Sequence, residues 1–167
     1  MDITPLRLAY GVLLDAAAAV ADSSDTSPAP PAGEWNTEQI LAHVSIVTAA
    51  TTAVVAAVAS GANATYDNRL AHDNWTIANV ISLAGDNAGL RDRIRGQGEA
   101  LCALSGSVLC QRELDKVVPT LLISKDTALV DQPLPLRDII TGLAHTELPG
   151  HTQQLLARHA PGLPGNL

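Results

Sequence analysis

The 167-residue chain carries 17 Asp+Glu against 10 Lys+Arg, a formal net charge of −7 at pH 7, and is 47% hydrophobic with 2% aromatic residues and no Phe. A chain of this length favours one domain, taken as residues 1–167, that buries a core without disulfides or a structural metal. The acidic balance, with no run of Lys or Arg, excludes a nucleic-acid partner, which would need a basic stripe to displace phosphate counterions.

The first apolar periodicity runs from Pro5 to Asp22, where Leu6, Ala9, Leu13, Ala16 and Val20 recur at steps of three and four. Ser24–Glu34 (SDTSPAPPAGE) reads as a long loop that crosses a bundle end or covers a site. Asn36 or Thr37 caps a second helix that Gly61 stops, with Ile40, His43/Val44, Val47, Thr51, Val54 and Val58 on its inner stripe. Gly61–His72 reads as a polar connection. Asp73 or Asn74 then caps a third helix reaching Leu104, with a break or fray expected near Gly96 because glycine is a poor helix former.

Beyond Ser105 the period changes. Val117–Ser124 and Ala128–Asp131 flank Lys125-Asp126-Thr127 as a short hairpin, and Pro119 restricts the first run to an edge strand or to a strand beginning after it. A last helix follows from about Pro135 to Arg158, and Pro161-Gly162-Leu163-Pro164-Gly165 ends it. With the core left to Leu, Ile, Val and Ala, the expected class is all-α: a four-helix bundle with a small β-hairpin before the last helix.

The apolar stripes are interrupted at informative places. His43 lies between Ile40 and Val47 on the second helix. On the last helix, Glu147 falls four after Leu143, and His151 four after Glu147. At about 100° per residue, Glu147 and His151 stand on one face, one turn apart, beside Ile140 and Leu155. A carboxylate buried there must be neutralised, paired or bound to a cation. Two imidazoles and one carboxylate suit Zn²⁺ or a similar divalent metal, with positions left open for water or substrate. The same residues also suit a hydrogen-bonded core histidine and a local Glu–His pair. Pro149 sits between Glu147 and His151, so the helix is expected either to kink there or to break and spoil the i, i+4 geometry.

Trp35-Asn36-Thr37-Glu38-Gln39-Ile40-Leu41-Ala42-His43-Val44 resembles the segment of DinB/YfiT-like metalloenzymes in which a tryptophan precedes a capped helix bearing the first ligand histidine. His145-Thr146-Glu147-Leu148-Pro149-Gly150-His151 is similar to their last-helix motif, closest to the N-terminal domain of mycothiol-dependent maleylpyruvate isomerases, where the pair is Glu-x3-His. That resemblance implies a DinB-like bundle over essentially the whole chain, with His43, Glu147 and His151 as zinc ligands and mycothiol as co-substrate. The isomerase branch commonly carries a further C-terminal domain, beyond the span that ends here at Leu167.

The other candidates carry less. His145 falls on a different face from His151, and His159 suits a helix C-terminal cation. His72, just before the third helix, is either a loop residue or a proton shuttle at a bundle-end pocket. Trp35 and Trp75 anchor helix starts or line a pocket mouth. Cys102 and Cys110 are expected to be free and buried, and Gly96-Gln97-Gly98 lacks the context of a phosphate loop.

Met1-Asp2-Ile3-Thr4-Pro5 has no signal-peptide start, and stretches such as Ile46–Ala59 fall short of the roughly 20 residues of a bilayer span. A cytoplasmic protein without a membrane partner is therefore expected. The functional expectation is a divalent-metal enzyme that activates a low-molecular-weight thiol for S-transfer to, or isomerisation of, a small electrophile. Its partners are small molecules, and assembly as a homodimer is left open. A non-catalytic metal- or ligand-binding bundle, a metal-activated-water hydrolase and a metal-free structural bundle are the alternatives.

Overall fold

The computed structural model describes residues 1–22, 33–124 and 127–159. The proposed turn at Lys125-Asp126, most of the Ser24–Glu34 loop, the Pro161–Gly165 tail and the side chain of His159 lie outside those residues. The chain begins with α1 (Thr4–Asp22) and α2 (Thr37–Ala59). Asn36 sets the start of α2 reciprocally. Its Oδ1 accepts from the Gln39 N–H at 2.8 Å, and the Gln39 side chain accepts from the Asn36 N–H at 2.9 Å. This satisfies two of the helix's orphan donors and fixes Trp35 just outside the first turn.

After α2 come β1 (Tyr66–Asp67), a 3₁₀ turn (Arg69–His72), α3 (Asn74–Ala84) and α4 (Asn87–Ala103), which closes in a π-helical turn at Leu104–Val108. A short α5 (Gln111–Leu114) leads to β2 (Val117–Val118), β3 (Thr120–Ser124), β4 (Thr127–Asp131) and β5 (Leu134–Pro135). The last helix is composite: α6 (Leu136–Gly142), a π-helical turn (Leu143–Glu147) and α7 (Leu148–His159).

The four-helix expectation is overturned. Among the described residues α1 to α5 and the composite last helix make six helices, accompanied by two small sheets rather than one hairpin. The expected third helix divides at Gly85, whose φ of +86° ends α3 in a conformation that disfavours side chains. Asp86 at once caps α4 through the Gly89 N–H at 2.8 Å. The expected break near Gly96 does not occur, because α4 runs unbroken through Gly96 and Gly98. A Cβ on Gly98 would stand 3.0 Å from the Tyr10 ring, so that glycine is where α1 and α4 approach closely.

Pro119 splits the expected first strand of the hairpin. Val117 and Val118 leave to pair antiparallel with β5, while β3 joins β4 antiparallel and β1 parallel. Having no N–H, Pro119 still offers its carbonyl, which accepts from the Tyr66 N–H at 2.9 Å and opens the β1–β3 pairing. The segment read as a polar connection after Gly61 thus contains both a strand and a 3₁₀ turn.

Burial follows the aliphatic stripes. Leu6, Leu13, Ile40, Leu41, Ile77, Leu90, Ile94, Leu101 and Leu136 are all fully enclosed. α2 packs mainly on α4 and α3, and α1 on α7 and α4. By length and composition α1 and α2 could each cross a membrane, but α2 here is a core helix, buried along its inner stripe from Ile40 to Val58. Its buried Thr48 and Thr51 hydroxyls are satisfied by carbonyls four residues back, at 2.8 and 2.9 Å.

Candidate metal centre

Three side chains from two distant elements converge. His43 on α2 and His151 on α7 are buried, at 1% and 8% exposure, while the Glu147 side chain at the end of the π turn remains 35% exposed. Glu147 Oε1 lies 2.9 Å from His43 Nε2 and 3.3 Å from His151 Nε2. The three ligand atoms all fall within 4.8 Å of one another.

Pro149 does not break this geometry. The last helix answers the proline with the wider π turn, in which the Leu148 N–H bonds back to the Leu143 carbonyl. A wider turn ahead of a proline relieves the clash of its ring with the carbonyl four residues back. The helix resumes as α7, and His151 stays one turn beyond Glu147.

The outer ring nitrogen decides the tautomer of His43. His43 Nδ1 lies 2.8 Å from the Ala71 carbonyl, which can only accept, so Nδ1 carries the proton. His151 Nδ1 lies 3.0 Å from the Gln154 carboxamide, which can either accept from it or donate to it, so the Ala71 contact alone assigns a tautomer. In the neutral ring His43 Nε2 therefore presents a lone pair to the Glu147 carboxylate oxygen, which also only accepts. Two acceptors 2.9 Å apart require a positive charge between them, either an added proton or a metal ion.

The two spacings to Glu147 are close to the ~3.3 Å between ligands about 2.0–2.1 Å from a tetrahedral zinc, while the two imidazole nitrogens, within 4.8 Å of each other, would draw together around an ion. The His43 imidazole is oriented by an acceptor on its far nitrogen, as metal-binding histidines usually are, and the His151 ring by the Gln154 carboxamide. Burial by itself pushes the Glu147 carboxyl up, but hydrogen bonds and charge from His151 and His43 outweigh it and hold the group well below the usual carboxylate range.

Aromatic and polar side chains wall the cluster. The Trp35 ring stands 4.7 Å from His43, 5.5 Å from His72 and, stacked, 6.5 Å from His151. His72 meets His43 edge-on at 5.0 Å, so it belongs to the site's surroundings rather than to a remote loop. Tyr66 is buried, its hydroxyl 3.4 Å from that of Thr51. Burial, opposed by the Thr51 hydrogen bond and aided by the nearby Glu147 charge, pushes its phenol up to about 12.

His145 is exposed, away from the cluster, and Trp75 is three-quarters exposed. Cys102 is a free, buried core residue. Cys110 is free but exposed, contrary to the expectation that it is buried, because it stands at the start of the short α5. Two clefts of about 350 and 230 Å³ lie around Arg7 and Cys102, and none of the three converging residues lines either one. Tyr66, Asn68 and the Ala71 carbonyl escaped the sequence reading. No local pattern marks them, since they reach the cluster only through the β1–β3 pairing and the 3₁₀ turn.

Comparison with family models, curated proteins and solved structures finds no match for this chain. What stands is a mostly helical fold with a clustered His/Glu/His site able to chelate a divalent metal ion, a feature consistent with metal-binding helical bundles in general. The labels four-helix bundle, DinB, mycothiol, transferase and isomerase are withdrawn as descriptions of the chain. The first conflicts with the six helices and two sheets, and the others have only two short motifs behind them.

Proposed function

We propose that this protein is a divalent-metal-dependent enzyme in which His43, Glu147 and His151 hold the ion, with zinc the metal best matched to two imidazoles and one carboxylate. One observation carries the reading. His43 Nε2, whose Nδ1 is already committed as a donor, closes at 2.9 Å on a carboxylate oxygen that His151 Nε2 also meets at 3.3 Å. When bound, such an ion acts as a Lewis acid that lowers the pKa of a thiol or water beside it.

The chain's own residues supply orientation and access. The Ala71 carbonyl and Gln154 fix the two rings, and Trp35 keeps water from one side of them. The exposed flank of Glu147 leaves a route for small reactants. The preferred substrate class is a low-molecular-weight thiol, held as thiolate for attack on a small electrophile. The resemblance of the Trp35–Val44 and His145–His151 segments supports that choice of class.

A second reading draws on the same 2.9 Å contact: a metal-free ion pair in which a protonated His43 donates to Glu147. Loss of a model electrophile such as 1-chloro-2,4-dinitrobenzene, followed with and without added thiol, tests the enzyme reading. Zinc-loaded wild type is expected to accelerate thiol conjugation, and His151→Ala to lose the acceleration. Acceleration that needs metal but no thiol would point to activated water instead. A rate equal to the protein-free control across several thiols and electrophiles would contradict the thiol reading.

A further inference from the structure

Asn68 is buried, at 6% exposure, between β1 and the 3₁₀ turn, and its whole carboxamide is engaged. The Ile123 N–H donates to Oδ1 at 2.8 Å, while Nδ2 donates to the Ile123 carbonyl at 3.0 Å. This two-sided grip on the β3 backbone fixes which end of the amide is which, because a flipped group would set oxygen against oxygen and N–H against N–H. Nδ2 is therefore also the donor across 3.3 Å to His72 Nε2. That nitrogen must accept, which leaves the His72 ring proton on Nδ1.

The backbone of the same residue continues the chain of contacts. The Asn68 carbonyl accepts from the Ala71 N–H at 2.9 Å and closes the 3₁₀ turn. The Ala71 carbonyl in turn accepts the Nδ1–H of His43 at 2.8 Å. An unbroken series of hydrogen bonds thus runs from β3 through Asn68 to the group that sets the tautomer and angle of His43.

We propose that Asn68 is a positioning residue of the metal centre: it clips the 3₁₀ turn to β3 so that the Ala71 carbonyl orients His43, and it holds His72 beside that ring as the Nδ1–H tautomer. The assignment rests on His43, Glu147 and His151 being the metal ligands. Asn68 itself touches neither metal nor substrate. It acts on metal affinity through His43 and leaves a signature in ring tautomers that a purely structural residue would not.

Two measurements on the full chain test it. Long-range ¹H–¹⁵N spectra of the metal-free protein report the imidazole tautomers. Competition with a chromophoric chelator gives zinc affinity, and cobalt(II) spectra report the ligand geometry. In wild type, Nδ1 is expected to carry a proton in both His43 and His72. In Asn68→Asp, a carboxylate facing His72 is expected to convert it to Nε2–H. Asn68→Ala is expected to weaken zinc binding by about tenfold or more and to shift the cobalt spectrum, whereas His43→Ala abolishes binding.

An Nε2–H His72 in wild type overturns the proposal, and this result needs no variant to fold. So does zinc affinity of Asn68→Ala within about twofold of wild type, with an unchanged cobalt spectrum, while His43→Ala loses the metal. If wild type itself binds no zinc, the reading of the site fails separately, and the metal-free tautomers still decide what Asn68 does.

Discussion

Glu147 sits between opposing influences: burial favours its neutral form, and the two imidazoles favour the carboxylate and prevail. A carboxyl whose folded pKa is depressed adds stability above its unfolded value, about 4.3 for glutamate, and loses it as pH falls through the folded value. Chemical denaturation of metal-free wild type and Glu147→Gln should therefore show a stability difference in favour of wild type at mildly acidic pH, above the value of a free glutamate. It should shrink once the pH drops below that of a free glutamate, and a difference that grows on that further acidification would contradict the assignment. Gly98 illustrates a second single-residue constraint. Alanine there gains helix propensity of about 1 kcal/mol but presses a Cβ into a Tyr10 ring that its 2.9 Å bond to Thr48 holds in place. Overpacking of this kind costs about 1–3 kcal/mol, so a net loss in urea denaturation is expected. Sequence reading could see the poor helix former, but not the ring lying over it.

The two helices that carry His43, Glu147 and His151 were legible because their signals are local. A polar residue interrupting an apolar stripe, and an i, i+4 pair on one face, are properties of a single helix. The π turn was not legible. Pro149 announced a disturbance, but whether the helix breaks or widens depends on the packing of Leu143, Ala144 and Leu148, all buried. The division between α3 and α4 was written at Gly85-Asp86 as a helix stop followed by a cap. It was masked because apolar residues continue in register across it. Gly85→Ala should cost about 1–2 kcal/mol, the penalty for a side chain in the left-handed region, as read from the urea midpoint at constant slope. β1 has two residues and exists only through its pairing with β3, which no local propensity encodes. Asn68 and the Ala71 carbonyl were hidden for the same reason.

The cluster ties α2 to the last helix across 104 positions of sequence, so a metal bound there would cross-link the two ends of the chain's core. Binding to the folded state alone raises stability by mass action, about 2.7 kcal/mol when free metal is a hundredfold above Kd. Zinc should therefore raise Tm, chelator should reverse the gain, and the gain should diminish on acidification because ligating imidazoles and carboxylates must be deprotonated. An equal gain in His43→Ala would show that the stabilising metal binds elsewhere. The most direct test of the metal centre is elemental analysis of untagged protein purified without chelators, beside His43→Ala and His151→Ala. The account predicts one divalent metal per chain in wild type, lost in both variants while helicity survives. Metal-free wild type that takes up none on reconstitution would contradict it, leaving Glu147 as the anion of a structural ion pair.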